Sequence, residues 1–190
     1  VRVQYLYPRI GGQSLPGVAG ITLVAALGAG LYGIVHDQIT YSLSPEYFTK
    51  AKFTQFWYLD MGHSERVFAG VIGFLASWWM GALAGWFLAR LIVPRVDMRT
   101  AWRTSLAGLA GVLASAVVGF VTGWGIGLNQ NPEAPFWRVL CTQYQVTDPP
   151  AFITVACVHY GSYAGAVLGL LVALGVTYRA LPKTGEDRNS

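Results

Sequence analysis

Apolar residues run through this chain in four long blocks, at about 15–36, 66–93, 102–128 and 151–178, with polar residues gathered between them. No Lys, Arg, Asp or Glu interrupts the middle of any block, and Arg90 lies close to an end. A helix of roughly 20 mainly apolar residues spans about 30 Å of hydrocarbon. Helices of a soluble domain would instead show one apolar and one polar face. The pattern predicts an all-α fold, an integral membrane four-helix bundle, with residues 1–190 forming a single transmembrane domain.

The connections refine the picture. The link at 94–101 is short, so spans two and three are expected to form an antiparallel hairpin, with Pro94 ending the second span. The first long loop should carry its own helix, at about 45–58. Ser44-Pro45-Glu46 supplies a capping hydroxyl, proline at the first helical position and an acid near the positive end of the dipole. Tyr47, Phe48, Phe53, Phe56, Trp57 and Tyr58 cover more than one face of it. The plain expectation is a short interfacial helix at the lipid headgroups; the sharper one is a helix wedged between the bundle and another subunit. The second long loop is polar, and Asp148-Pro149-Pro150 opens the fourth span.

Composition agrees: 54% of residues are hydrophobic and 12% charged. The net charge of +4 does not mark a nucleic-acid protein, because the basic residues follow the topology. Arg2 and Arg9 precede the first span, Arg90, Arg95, Arg99 and Arg103 crowd the short link, and Arg179, Lys183 and Arg188 follow the fourth. The positive-inside rule places both termini and the link in the cytoplasm, and the loops at 37–65 and 129–150 outside. The first span is too long for a cleaved signal peptide, and no small-residue cleavage site follows it.

Small residues four apart let helix backbones approach closely. Gly81 and Gly85, Gly119 and Gly123, and Gly161, Gly165 and Gly169 have that spacing. They read as packing inside the bundle or against a partner chain. Trp78 and Trp79 sit in the middle of span two, about 100° apart on a helix. One is expected to pack inside and the other to meet lipid or a partner; stacking on an embedded pigment, quinone or haem is the alternative.

The histidines are the strongest candidates for chemistry. His36 ends span one and is followed by Asp37; His63 lies before span two near Asp60 and Glu65; His159 lies near the outer end of span four, two residues after Cys157. Together with Glu46 they outline an outer-face polar or metal cluster, because ionisable groups at membrane depth are candidate functional groups and imidazole is the commonest metal ligand. No pair has the spacing of a helical metal motif. His36 and His159 are expected to approach each other or share a polar network with the first outer loop. Cys141 and Cys157 are both on the outer side, where an oxidising compartment would permit a disulfide closing a loop of about 15 residues.

No phosphate-binding glycine loop, CxxC, CxxCH or GxSxG is present. Spans without a central acid or base argue against a proton pump or ion-coupled transporter. The run His36-Asp37-Gln38-Ile39-Thr40-Tyr41-Ser42, then Ser44-Pro45-Glu46-Tyr47-Phe48-Thr49, Lys52-Phe53 and Gln55-Phe56, resembles one found in uncharacterised bacterial multi-pass membrane proteins. Ser77-Trp78-Trp79-Met80-Gly81 and His159-Tyr160-Gly161-Ser162-Tyr163 extend the resemblance over spans one, two and four. It implies a bacterial membrane location and an outer-face cluster joining the first loop to span four, and carries no catalytic role; the expected location is the bacterial inner membrane.

The leading expectation is a non-enzymatic membrane protein, an accessory or scaffolding subunit of a larger assembly or a homo-oligomer. The first alternative is a membrane redox or metal protein in which His36, His63 and His159 are ligands, supported by Glu46, Glu65 or Asp37, with a b-type haem as one form. The third is a passive channel or small-solute carrier lined by Thr22, Ser77, Ser115 and Thr122.

Overall fold

The computed structural model describes residues 10–60 and 62–181, so Arg2, Arg9, Lys183 and Arg188 lie outside the described residues. Among the described residues six α-helices follow one another: α1 (Leu15–Leu43), α2 (Phe53–Gln55), α3 (Glu65–Ile92), α4 (Met98–Leu128), α5 (Pro135–Gln143) and α6 (Pro149–Ala180). There is no strand among the described residues. α1, α3, α4 and α6 are long and apolar enough to cross a membrane, so the chain is an all-α, four-helix membrane bundle.

Local chemistry sets the helix ends. α1 runs past His36 and Asp37 to Leu43, about two turns beyond its apolar block. It stops where Ser44 turns extended (φ −148°, ψ 93°), as a residue before proline prefers. Asp37 therefore lies within a membrane-length helix, not after it. α4 starts early because Asp97 caps it, accepting from the Thr100 N–H at 3.1 Å. Asp148 caps α6 as expected, accepting from the Ala151 N–H at 3.2 Å.

The first long loop is helical where expected, but its turns are π from Tyr47 to Lys52. Ser44 does not cap it; its hydroxyl is buried with no hydrogen-bond partner. The segment is not an interfacial helix at the headgroups either. Phe48 is fully buried and Lys52 nearly so, and the segment plugs the end of the bundle. The second long loop holds α5, whose Trp137 and Cys141 are buried against α6 residues Phe152, Ile153, Ala156 and Cys157.

Pairing follows the glycines rather than the short link. Gly33 and Gly73 bring the backbones of α1 and α3 into contact, and Gly81 and Gly85 seat on Ala25 and Ile21. Gly119 and Gly161 do the same for α4 and α6, with Gly123 on Cys157 and Gly165 and Gly169 on Ser115. A Cβ at most of these positions would strike backbone. The glycine stripes are thus internal packing. Spans two and three, expected as a tight hairpin, touch only lightly. The molecule is two intimate pairs, α1 with α3 and α4 with α6, joined at one end by an apolar cluster around Ile21, Leu88, Ile92 and Ala101. Trp78 (42% exposed) and Trp79 (48% exposed) are both half-exposed, so neither is a buried packing residue; Trp79 lines the edge of the opening between the pairs and Trp78 does not.

Between the pairs a cleft of about 460 Å³ opens, lined almost wholly by apolar side chains such as Val24, Leu83, Leu106 and Leu113. Its polar end lies beneath the π-helical plug.

Candidate functional site

Each helix pair supplies part of that polar end. α1 contributes His36 and Asp37, α6 contributes His159 and Ser162, and all four are more than nine-tenths buried. Asp37 Oδ1 is the meeting point. His36 Nδ1 lies 3.0 Å from it and His159 Nε2 lies 3.2 Å from it. The two imidazoles meet edge to face with ring centres 4.6 Å apart. His36 Nε2 is 3.2 Å from Ser162 Oγ. Lys52, brought inward by the π turns, places its Nζ 3.6 Å from Asp37 Oδ2. Burial lowers the Lys52 ammonium from its ordinary pKa, against the pull of Asp37. The Tyr47 ring covers His159, with centres 4.8 Å apart.

The hydrogen bonds fix the protons on His159. Its Nδ1 lies 2.9 Å from the Val155 carbonyl. A carbonyl only accepts, so Nδ1 carries the hydrogen and the Nε2 of a neutral ring is a bare lone pair. That lone pair faces Asp37 Oδ1, also an acceptor. Two acceptors 3.2 Å apart repel unless a positive charge sits between them. His36 is adaptable, since the Ser162 hydroxyl either donates to its Nε2 or accepts from it.

The donor atoms of His36, Asp37 and His159 all lie within 4.8 Å of one another. Donors about 2.0–2.1 Å from a four-coordinate ion stand about 3.3–3.4 Å apart, near the two separations measured at Oδ1. The surroundings match an outer shell. Val155 orients one imidazole, Ser162 the other, and Lys52 the free carboxylate oxygen. A haem between the two histidines does not fit, because a macrocycle needs them on opposite faces and here they touch.

Of the seven residues expected to cluster, three come together: His36, Asp37 and His159. His63 is exposed. Glu65 accepts a hydrogen bond from the Tyr41 hydroxyl and ties α3 to α1. Cys157 points into the apolar cluster with Cys141, and both are buried free thiols. Burial pushes the Cys141 thiol up.

Glu46 clamps the plug to α6. It accepts from the Thr147 hydroxyl at 2.7 Å, from the Thr147 and Asp148 N–H groups at 2.9 and 2.8 Å, and pairs with Lys50. Burial raises its pKa, but these donors outweigh burial and hold the carboxyl at about 2.

Lys52 and Ser162 belong to the site without standing among the candidate cluster residues. Their signals were faint: a lysine within an aromatic segment, and a serine three residues after His159, on the same helix face. No protein-family model, curated protein or solved structure matches the chain.

Proposed function

We propose that this chain is a membrane metal-binding protein that holds one divalent transition ion between His36, Asp37 and His159. One observation carries the reading: with its Nδ1 held to the Val155 carbonyl, His159 points Nε2 at Asp37 Oδ1 across 3.2 Å, a contact that needs a positive charge, a proton or a metal ion, between the two atoms. Two imidazoles and a carboxylate suit ions of the zinc and ferrous-iron class. Such an ion would join α1 to α6 and hence one helix pair to the other. A buried charged cluster is also a poor way to gain stability, since apolar residues of similar volume usually serve as well.

The Arg-rich link favours both termini in the cytoplasm and the metal site near the outer face of a bacterial inner membrane. The resemblance to bacterial multi-pass proteins agrees with that placement. Cysteines introduced at Arg95 and Arg138 test it: in intact cells an impermeant maleimide should label only the second.

The experiment for the site is cobalt substitution. Co²⁺ added to chelator-treated protein should give intense visible bands of a low-coordinate site at one equivalent, and His159→Gln should abolish them. Bands unchanged in that variant would contradict the assignment.

A second reading, an accessory or scaffolding subunit or a homo-oligomer, is favoured by the half-exposed Trp78 and Trp79 in the middle of α3. Co-purification from native membranes tests it, with a lone monomer counting against it.

A further inference from the structure

The cleft between the helix pairs has a chemistry of its own. It lies along the membrane-crossing parts of α1, α3, α4 and α6, so its occupant comes from the bilayer. At about 460 Å³ it falls within the range of small-molecule sites, about 300–1,000 Å³. No Lys or Arg lines it, and its one acid, Asp37, already meets two histidines and Lys52. A phosphate headgroup would find no countercharge there. The walls are apolar and the polar groups sit at one end: Tyr32, Ser162 and Tyr163 beside the histidines. The Tyr32 hydroxyl is buried beside Ser162, with no hydrogen bond of good geometry, and the Ser162 hydroxyl is already engaged with His36. A buried donor left unpaired costs roughly 1–3 kcal/mol, so this end is shaped for an acceptor that completes it. Aromatic rings of Tyr32, Tyr163 and Trp79 line the same cleft. These are the features of a site for a flat, neutral ring with a carbonyl at its edge and an apolar tail.

We propose that the cleft binds a neutral lipid quinone, with a ring carbonyl accepting a hydrogen bond from Tyr32 and the tail lying between α1, α3 and α4 toward lipid. The proposal goes beyond the metal reading and does not depend on it. The three metal-donor residues lie at the polar end of the cleft, but Tyr32 and Gly28 are not among them, so the two sites are separable by experiment.

Gly28 provides the decisive variant. It lines the cleft, and a Cβ built there meets nothing within 4 Å. Gly28→Leu thus adds bulk at a lining position whose Cβ strikes no neighbouring helix.

The test is equilibrium binding of decylubiquinone to the full chain in detergent, stripped of metal with a chelator, with decanol and phosphatidylglycerol as competitors. The wild type should bind near one equivalent, and neither competitor at equal concentration should displace it. Gly28→Leu should weaken binding roughly tenfold or more, as overpacking a filled site does. Tyr32→Phe should weaken it about 2- to 12-fold, the loss of one hydrogen bond. Both variants should keep the wild-type thermal stability and one equivalent of Co²⁺. No binding by the wild type, equal displacement by decanol, or full affinity in either variant would overturn the proposal. Loss of Co²⁺ binding with quinone binding intact would fault the metal site alone.

Discussion

Asp37 and His159 stand 122 residues apart in the chain and 3.2 Å apart in the fold, Oδ1 against Nε2. They belong to different helix pairs, and with His36–Ser162 and His36–Phe120 they bring the two halves together beneath the π-helical plug.

Removing one member of such a buried group leaves the others uncompensated, a loss of about 3–5 kcal/mol. Asp37→Asn should destabilise the metal-free protein by that order, because Lys52 then keeps a buried charge without its partner, a loss greater than the relief of the Asp37–His159 contact by an amide donor. Lys52→Met added to Asp37→Asn should recover part of the loss. Denaturant unfolding in detergent micelles reads both. A double variant no more stable than the single one would show that Lys52 does not depend on Asp37.

The glycine contacts predict a sharp contrast in stability. Gly161→Ala sets a methyl against the Gly119 backbone, and Gly33→Ala sets one against Gly73. Each should cost about 1–3 kcal/mol, as overpacking does, and should loosen one helix pair. Gly28→Ala meets nothing and should be neutral. Thermal melts of the three variants check this; equal melting temperatures would refute the pairing.

Glu46 predicts a pH dependence. Its folded pKa of about 2 lies below the ordinary 4.5, so the clamp's contribution is complete above about pH 4.5. It is lost as pH falls through the window toward 2, because the unfolded chain takes up the proton first. Glu46→Gln should thus be less stable than wild type at neutral pH, with the gap shrinking between pH 4.5 and 2. A gap that stays constant over that window would contradict the clamp.

The four spans could be read directly because each helix is apolar on all sides, which only a bundle in lipid tolerates. Their pairing could not. Link length suggested α3 with α4, whereas contact between glycines, invisible as sequence spacing alone, joined α3 to α1 and α6 to α4. The site was half legible. His36, Asp37 and His159 stood out as ionisable groups at the ends of apolar blocks. Lys52 did not, because π turns shift the phase of the segment and bring inward a residue that α periodicity gives no reason to choose. Glu46 and Glu65, candidates for the cluster as carboxylates on the same side, each serve a separate contact, one to Thr147 and Asp148 and one to Tyr41.

The most direct test of the account is the metal content, per chain, of protein purified without chelator from cells grown with zinc, iron and cobalt, measured by inductively coupled plasma mass spectrometry. Wild type and His63→Ala should each carry close to one divalent transition ion, since His63 is exposed and outside the cluster. His36→Gln, Asp37→Asn and His159→Gln should each carry far less while remaining folded by circular dichroism. Metal-free wild type, or the same metal content in the cluster variants as in wild type, would contradict the account.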